Sequence, residues 1–234
     1  FYQIVLQIYS EEMQKFRLAS EGHGLKKPPD YMCKRIKKYF RPIPKWYQSI
    51  DENIESEKYN LNAITQRPPH MYHSWGSQNA WLRQITNRNY LYISEFIGKK
   101  NKLKDNDWIW IQSAYNKIKV QCRVMRGVNK FTVWTWNGIG KRKGAWNLDP
   151  NSPENEKSFL LNHIIPDLLP KREDGYNYSN SDPITGQAAW YDLKVIIYKC
   201  DENELDNKIY PSFKTFKNNS RKNIEINSYG KQIK

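Results

Sequence analysis

Polar and apolar side chains alternate without a break from Lys117 to Val124, and this constrains the fold more than any other feature of the sequence. Successive side chains of a β-strand point to opposite faces of a sheet, so a period of two predicts a strand with one buried and one wet face. A single strand cannot cover its own buried face, so the segment also predicts a larger sheet. The buried positions predicted here are Ile118, Val120, Cys122 and Val124.

Short apolar segments bounded by turn residues predict five further strands. They lie at 61–64, 89–93, 108–112, 131–136 and 192–199. Helices are expected over 30–40, over 94–100 with Ser94 as the cap, and over 152–165, where Pro166 ends the pattern. Asn106 is expected to adopt a positive φ in the turn before residue 108. Six short strands with few helices favour a closed β-barrel.

The chain divides into three regions. Residues 1–58 are interrupted by prolines and end in a polar stretch, so they predict an irregular lead-in, the end of a preceding region plus a linker. Residues 59–200 hold the strands and form the barrel domain. Residues 201–234 are polar, basic and aperiodic, which predicts a mobile tail. The chain begins with Phe1 and an apolar stretch, which indicates a piece of a longer protein.

Composition excludes several classes of protein. Aromatic residues make up 14% of the chain and compensate for a modest apolar fraction of 38%, so a packed core is expected and general disorder is not. No segment approaches the ~20 apolar residues of a membrane span. Cys33, Cys122 and Cys200 are far apart, which excludes a disulfide framework and a CxxC metal site.

Most of the net charge of +14 lies in the barrel region, where 20 basic and 11 acidic residues leave an excess of +9. A basic domain predicts an anionic partner, which could be nucleic acid, phospholipid or a phosphate-bearing cofactor. A lysine-rich, solvated surface is the alternative interpretation of the same charge.

Three segments carry more polar and turn-forming residues than a scaffold requires. Segment 65–79 offers hydroxyl, guanidinium and backbone donors of the kind that phosphate oxygens and ring carbonyls bind, although a polar surface loop has a similar composition. Its two histidines, His70 and His73, have no Cys or carboxylate at zinc-ligand spacing. Segment 135–146 combines two glycines with Lys141-Arg142-Lys143, an anion-binding pattern without the P-loop spacing.

The third segment, 180–187, is a polar turn that leads into the last strand. A carboxylate in such a turn could accept both N–H groups of a guanine edge, and Asp182 is the candidate. The alternative is an Asp-Pro turn that only shapes the entry to the strand.

Taken together, these segments resemble a known family. Residues 65–85 are similar to the start of the C-terminal, molybdopterin-dinucleotide-binding domain of the dimethyl sulfoxide reductase superfamily. Segments 132–146, 159–170 and 180–195 resemble the large (molybdenum) subunit of its sulfur-compound branch, which contains sulfite-oxidising enzymes and thiosulfate and polysulfide reductases.

The resemblance implies a mainly β fold with a few helices, a six-stranded double-psi β-barrel that follows the irregular lead-in. It implies a molybdenum bis(molybdopterin guanine dinucleotide) cofactor, which this C-terminal fragment would bind and enclose. The whole enzyme would perform two-electron redox chemistry on sulfite, thiosulfate or polysulfide, and the fragment alone would be inactive. An iron–sulfur cluster is expected only in the N-terminal part that precedes these residues.

The resemblance and the chemistry of the segments give a set of candidate cofactor-binding residues, which includes no metal ligand and leaves the catalytic residues unassigned. They are Thr65, Arg67, His73, Ser74, Trp75, Ser77, Gln78, Trp136, Asn137, Lys141, Asn180, Asp182, Thr185, Gly186 and Gln187.

The same resemblance implies two partners, an iron–sulfur electron-transfer subunit together with a quinone-reactive membrane anchor subunit. It places the complex at the cytoplasmic face of the inner membrane, with the periplasm as the alternative.

A rival hypothesis is a basic β-barrel that binds nucleic acid and has no enzymatic activity. The tryptophans are not interleaved with the basic runs, which counts against base stacking.

Overall fold

The structure is a computed structural model. It describes residues 2–43, 45–46, 49, 51, 57–73, 75–76, 79–139, 159–165, 171, 181–182, 184–188 and 193–204. The tail beyond residue 204, most of the linker and the predicted helical residues 152–158 therefore lie outside the described residues.

Six strands form a closed barrel, which confirms the predicted fold class. They are β1 Leu61–Gln66, β2 Leu91–Ser94, β3 Trp108–Gln112, β4 Lys117–Met125, β5 Thr132–Trp136 and β6 Lys194–Lys199. Their order around the barrel is β1-β5-β2-β4-β3-β6. Two neighbouring pairs, β1 with β5 and β2 with β4, are parallel, and the other four pairs are antiparallel.

This pairing fixes the two ends of the barrel. Strands β1, β3 and β5 run in one direction and β2, β4 and β6 run in the other. The connections that follow β1, β3 and β5 therefore all begin at one end, which we call the loop end. Connections 95–107 and 126–131 lie at the opposite end, which we call the closed end.

The barrel interior is filled by alternate side chains, as the period of two predicts. Ile118, Val120 and Cys122 of β4 are fully buried in the core. The expectation of a wet outer face is wrong at Lys119, which is only 2% exposed. Its ammonium lies 5.5 Å from the centre of the Trp108 ring, so aromatic side chains of the neighbouring strand cover this lysine.

The lead-in contains two helices that pack on each other. Helix α2, Asp30–Tyr39, was predicted, but α1, Tyr2–Ser20, was not, so the expectation of an irregular lead-in is wrong for residues 2–20. Tyr9, Met13, Phe16 and Ser20 recur every three or four residues, which is the period of a helix. Phe16 and Phe40 meet edge to face at 5.4 Å between ring centres. The Asp51 carboxylate accepts the Lys194 N–H at 2.6 Å and ties the lead-in to β6.

No helix among the described residues is long and apolar enough to cross a membrane.

The closed end is sealed by local structure. Helix α4, Glu95–Lys100, follows β2 directly, and the Ser94 hydroxyl accepts the Ile97 N–H at 3.2 Å, as the predicted cap requires. Ile97 and Leu103 are buried against the barrel core. Asn106 has a φ of 69°, which confirms the predicted turn.

The loop end is sealed by the segment 159–165, where the structure corrects a prediction. Leu160 is extended, with φ −123° and ψ 128°, and only a short 3₁₀ helix, Leu161–Ile164, follows it. Phe159 and Leu161 are both buried. Residues two apart point to different sides of an α-helix, so burial of both requires extended backbone here instead of the helix expected up to residue 165.

Candidate functional site

The site begins where two parallel strands end side by side. Gln66 of β1 is paired with Trp136 of β5, and the Asn137 N–H donates to the Gln66 carbonyl at 2.8 Å. The loops that follow these strands therefore start from adjacent positions at the loop end. Two of the three polar segments singled out in the sequence are brought together in this way, although they lie about 70 residues apart along the chain.

The first of these loops carries a cation in a defined position. Arg67 Nη2 lies 2.9 Å from His73 Nε2, and its guanidinium lies 6.0 Å from the centre of the Tyr72 ring. A guanidinium only donates, so His73 accepts through Nε2 and its ring is neutral with the proton on Nδ1. His73 has a φ of 49°, a left-handed conformation that costs a non-glycine residue roughly 1–2 kcal/mol.

The rest of this loop is held by short-range contacts. Helix α3, Ala80–Ile85, is capped by Asn79, whose side chain accepts the N–H groups of Trp81 and Leu82. His70 Nε2 and Thr86 Oγ1 lie 2.9 Å apart and join the start of the loop to its end. Gly76 leaves room for this packing, because a Cβ there would lie 3.1 Å from the backbone of Met71.

A residue that the sequence did not single out organises the second loop. The Asn89 side chain, 2% exposed, donates to the carbonyls of Trp136, Ile139 and Phe159. Its oxygen accepts the Thr135 hydroxyl at 2.9 Å. The only signal in the sequence is a polar residue at the start of an apolar strand, which does not reveal partners 46 to 70 positions away.

The amide side chain of Asn137 is the most unusual polar group at the loop end. Its Oδ1 atom is buried and accepts no hydrogen bond in the described part of the chain. Leaving a buried acceptor unpaired costs about 1–3 kcal/mol, so such atoms are rare in folded proteins. Asn137 was a candidate from sequence, and the structure gives it a vacant acceptor.

Three other candidates in the first two loops have different surroundings. Thr65 is buried on the inward face of β1 with Leu61 and Ala63. Trp136 lies in an outer aromatic cluster, 4.8 Å from the centre of Trp134. Trp75 is 77% exposed at the loop end.

The third polar segment forms a compact turn. Asp182 Oδ1 accepts the N–H groups of Ile184 and Thr185 and the Thr185 hydroxyl, at 2.9, 2.7 and 3.0 Å. Gly186 has a φ of 74°, and its N–H donates to the Asp182 carbonyl. Both carboxylate oxygens would be needed to pair with two N–H groups of guanine, and one of them already accepts three donors. The geometry therefore favours the turn-forming alternative for Asp182.

The turn residues that accompany Asp182 are on the surface. Thr185, Gly186 and Gln187 are exposed, and the Gln187 N–H donates to the Thr185 hydroxyl at 3.2 Å. Burial and the negative charge of Asp182 raise the pKa of Tyr9, a residue of helix α1.

Five candidates lie outside the described residues, and they are Ser74, Ser77, Gln78, Lys141 and Asn180. Within the part of the chain that the structure describes, no group of three or more His, Cys, Asp or Glu side chains could hold a metal ion.

The chemistry available at the loop end combines a donor with an acceptor. Arg67 forms no ion pair with any described carboxylate, so its remaining N–H groups can bind an anionic oxygen. Asn137 Oδ1 can accept an N–H group. Such a pair suits a ligand that carries both phosphate and a heterocycle with N–H groups.

Comparisons with known proteins concern the domain that carries these residues. Residues 61–169 match the family described as "Molydopterin dinucleotide binding domain". The chain is 48% identical over 203 residues to the A subunit of the sulfite dehydrogenase of Allochromatium vinosum, a match that covers 86% of this chain and 21% of that protein. The chain thus spans about one fifth of the length of this relative.

A solved structure supports the fold. "Acetylene Hydratase from Pelobacter acetylenicus" superimposes with a TM-score of 0.50 at 16% sequence identity, covering 68% of this chain and 21% of that chain. At this identity the likeness concerns the fold alone. Residues 61–169, which hold the first five strands of the barrel, belong to the molydopterin dinucleotide binding domain family.

Proposed function

We propose that the chain is the dinucleotide-binding, C-terminal part of the large subunit of a molybdenum oxidoreductase that oxidises an inorganic sulfur compound, with sulfite as the first candidate. The observation that carries the proposal is the paired end of β1 and β5. There, among the described residues, a vacant acceptor and a guanidinium without an ion pair lie within a domain of this family. The name of the relative supports the sulfur substrate.

The residues present fit the molybdenum bis(molybdopterin guanine dinucleotide) cofactor. Arg67 would bind a pyrophosphate oxygen, and the His73 ring, which accepts from the same guanidinium, would hold that side chain in place. Asn137 Oδ1 would accept an N–H group of a pterin or guanine ring. When bound, the cofactor supplies the two-electron chemistry, and this chain binds it, orients it and excludes water from one side.

The larger assembly is part of the same proposal. Electrons would leave through an iron–sulfur cluster in the N-terminal part of the large subunit, then through an iron–sulfur electron-transfer subunit, and finally through a quinone-reactive membrane anchor. The relative is named as one lettered subunit of its enzyme, which is consistent with an assembly of several subunits. We propose the cytoplasmic face of the inner membrane as the location, with the periplasm as the alternative. The comparisons give no support to the nucleic-acid-binding alternative.

The test uses the full-length protein with its cofactor. We expect stoichiometric molybdenum and guanine nucleotide by metal and nucleotide analysis, and sulfite-dependent reduction of an electron acceptor. Arg67→Gln should weaken cofactor retention by roughly tenfold to a hundredfold, because a charge-assisted hydrogen bond is lost. Lys100→Gln removes the same charge at the closed end and serves as the matched control.

The outcomes separate the parts of the proposal. A wild-type protein without molybdenum or guanine nucleotide would refute the cofactor. A loaded protein that reduces thiosulfate or polysulfide but does not oxidise sulfite would refute the sulfite assignment alone. Equal loss of cofactor in Arg67→Gln and Lys100→Gln would show that only net charge matters.

A further inference from the structure

We propose that Asn89 is a positioning residue for the cofactor site. Its buried side chain holds the turn after β5 so that the oxygen of Asn137 can accept an N–H group of the bound heterocycle. This inference rests on the proposed function, because it concerns how the same site recognises the ring portion of the dinucleotide.

The first step is the orientation of the Asn89 amide. Nδ2 lies 3.1 Å from the Trp136 carbonyl, 2.9 Å from that of Ile139 and 3.1 Å from that of Phe159. Carbonyl oxygens only accept hydrogen bonds, so all three must face the NH2 group of Asn89, and this fixes which way its amide points. The NH2 group has two hydrogens for three carbonyls, so one hydrogen is shared between two of them. The Thr135 hydroxyl donates to the opposite end at 2.9 Å and secures the same orientation.

The second step is the effect on the turn. The carbonyls of Trp136 and Ile139 stand on either side of Asn137, and one amide group binds both. The Asn137 N–H donates to Gln66 of the adjacent strand at 2.8 Å. Gly138 adopts a φ of 73° within the turn. The backbone of Asn137 is thus held from two directions, which leaves only its side-chain torsions free.

The third step is the chemistry of the vacant acceptor. Asn137 Oδ1 is buried and accepts no hydrogen bond among the described residues. The pyrophosphate of the dinucleotide carries only acceptor oxygens, so it cannot satisfy a carbonyl oxygen. The ring and amino N–H groups of a pterin or a guanine can. The site on Asn137 is therefore a recognition site for the edge of a heterocycle and not for phosphate.

A purely structural role for Asn89 makes a different prediction, and the chain offers a matched control. Ser113 is 1% exposed, and its hydroxyl donates to the Ile164 carbonyl at 2.6 Å. Ser113 therefore ties the segment 159–165 to the barrel, as Asn89 does through Phe159. Unlike Asn89, Ser113 makes no hydrogen bond to the turn 136–139 within the described ranges. Ser113→Ala should weaken the seal of the loop end without releasing Asn137.

The experiment compares Asn89→Leu with Ser113→Ala in the full-length protein. We measure thermal stability without cofactor, guanine nucleotide and molybdenum per large subunit, and hydrogen exchange of the peptide that contains Asn137. At comparable losses of stability, Asn89→Leu should lower cofactor content by about tenfold, which corresponds to about 1.4 kcal/mol of binding, and Ser113→Ala by less than about twofold. Exchange at Asn137 should accelerate only in Asn89→Leu.

A second variant tests the inference if Asn89→Leu does not fold. Thr135→Val keeps the shape of the side chain and removes only the hydroxyl that donates to Asn89. We expect faster exchange at Asn137 and a loss of cofactor of about twofold to fivefold, below the loss in Asn89→Leu because the three carbonyl contacts persist. Unchanged exchange at Asn137 in Thr135→Val would overturn the inference.

Two further results would also overturn it while leaving the proposed function intact. One is an equal loss of cofactor in Asn89→Leu and Ser113→Ala. The other is full cofactor content in Asn137→Ala, which removes the acceptor. By contrast, a wild-type protein that holds no guanine nucleotide would refute the proposed function itself.

Discussion

The two ends of the barrel are sealed by different means. At the closed end, the seal is helix α4 with its Ser94 cap and the buried side chain of Ile97, all within a few residues of one another. At the loop end, buried polar side chains bind carbonyls far away in sequence. Ser113 binds Ile164 across 51 positions, and Asn116 binds His163 across 47. The closed end thus combines a capped helix and apolar burial with hydrogen bonds such as that from Ser94 to the Lys130 carbonyl, 36 positions away. At the loop end, buried polar side chains make hydrogen bonds across about 50 positions.

This difference separates stability from binding. The closed end contributes apolar burial, which stabilises the barrel whether or not a ligand is present. Among its described residues, the loop end contains a strained His73, a vacant Asn137 acceptor and an Arg67 guanidinium without an ion pair, none of which favours folding of the apo chain. We therefore expect substitutions in the apolar seal of the closed end to change stability, and substitutions of Arg67 and Asn137 at the loop end to change cofactor retention.

The largest effect should follow from truncating the apolar seal. Ile97 is 2% exposed, and Ile97→Ala should reduce the free energy of unfolding by about 2–5 kcal/mol, because it removes buried contacts and leaves a cavity. Chemical denaturation of the full-length protein measures this. Lys99→Ala, an exposed change in the same helix, should have little effect. If the variant lost a larger fraction of its cofactor than of its folded protein, the distinction between the two ends would be wrong.

A smaller effect is expected from the cap of the same helix. Ser94→Ala removes the acceptor for the Ile97 N–H and a donor to the Lys130 carbonyl, and should cost about 1–2 kcal/mol. Ser94→Thr keeps the hydroxyl and should retain most of the stability. If Ser94→Ala proved neutral by denaturation, water would be replacing the cap and the closed end would be less well sealed than its contacts indicate.

The smallest effect is expected in the turn at Asp182. Asn offers the same Oδ1 acceptor to Ile184 and Thr185. Asp182→Asn should therefore change the free energy of unfolding and the free energy of cofactor binding by less than about 0.5 kcal/mol each. The pKa of Tyr9 should fall, because the negative charge that helps to raise it is removed, and a pH titration of Tyr9 measures this. A marked loss of guanine nucleotide would instead support direct pairing of Asp182 with guanine.

Sequence patterns predicted the barrel well because its signals are local. The strand at β4, the Ser94 cap and the turn at Asn106 each depend on neighbours within about four residues, and all three were confirmed, although Lys119 breaks the predicted alternation of β4. The structural predictions that were wrong failed because tertiary contacts overrode the local pattern. Burial of both Phe159 and Leu161 replaced a predicted helix, and the ring of Trp108 covers Lys119.

The site was predictable to a smaller extent. Residue chemistry indicated Arg67 and Asn137, and the parallel pairing of β1 with β5 places both at one end of the barrel. Asn89 could not be foreseen, because its partners lie on three separate segments that only the fold assembles. The roles of these residues in cofactor binding stay predictions.

Strand order also determines when the barrel can close during synthesis. β6 pairs with both β1 and β3, so the last strand among the described residues fills the gap between two much earlier ones. Until Lys194–Lys199 leaves the ribosome, β1 and β3 each expose an unpaired edge, and such edges recruit other chains. A premature stop before Lys194 should therefore yield an aggregating product instead of a shortened barrel, and nascent chains of this protein should need chaperones until that point.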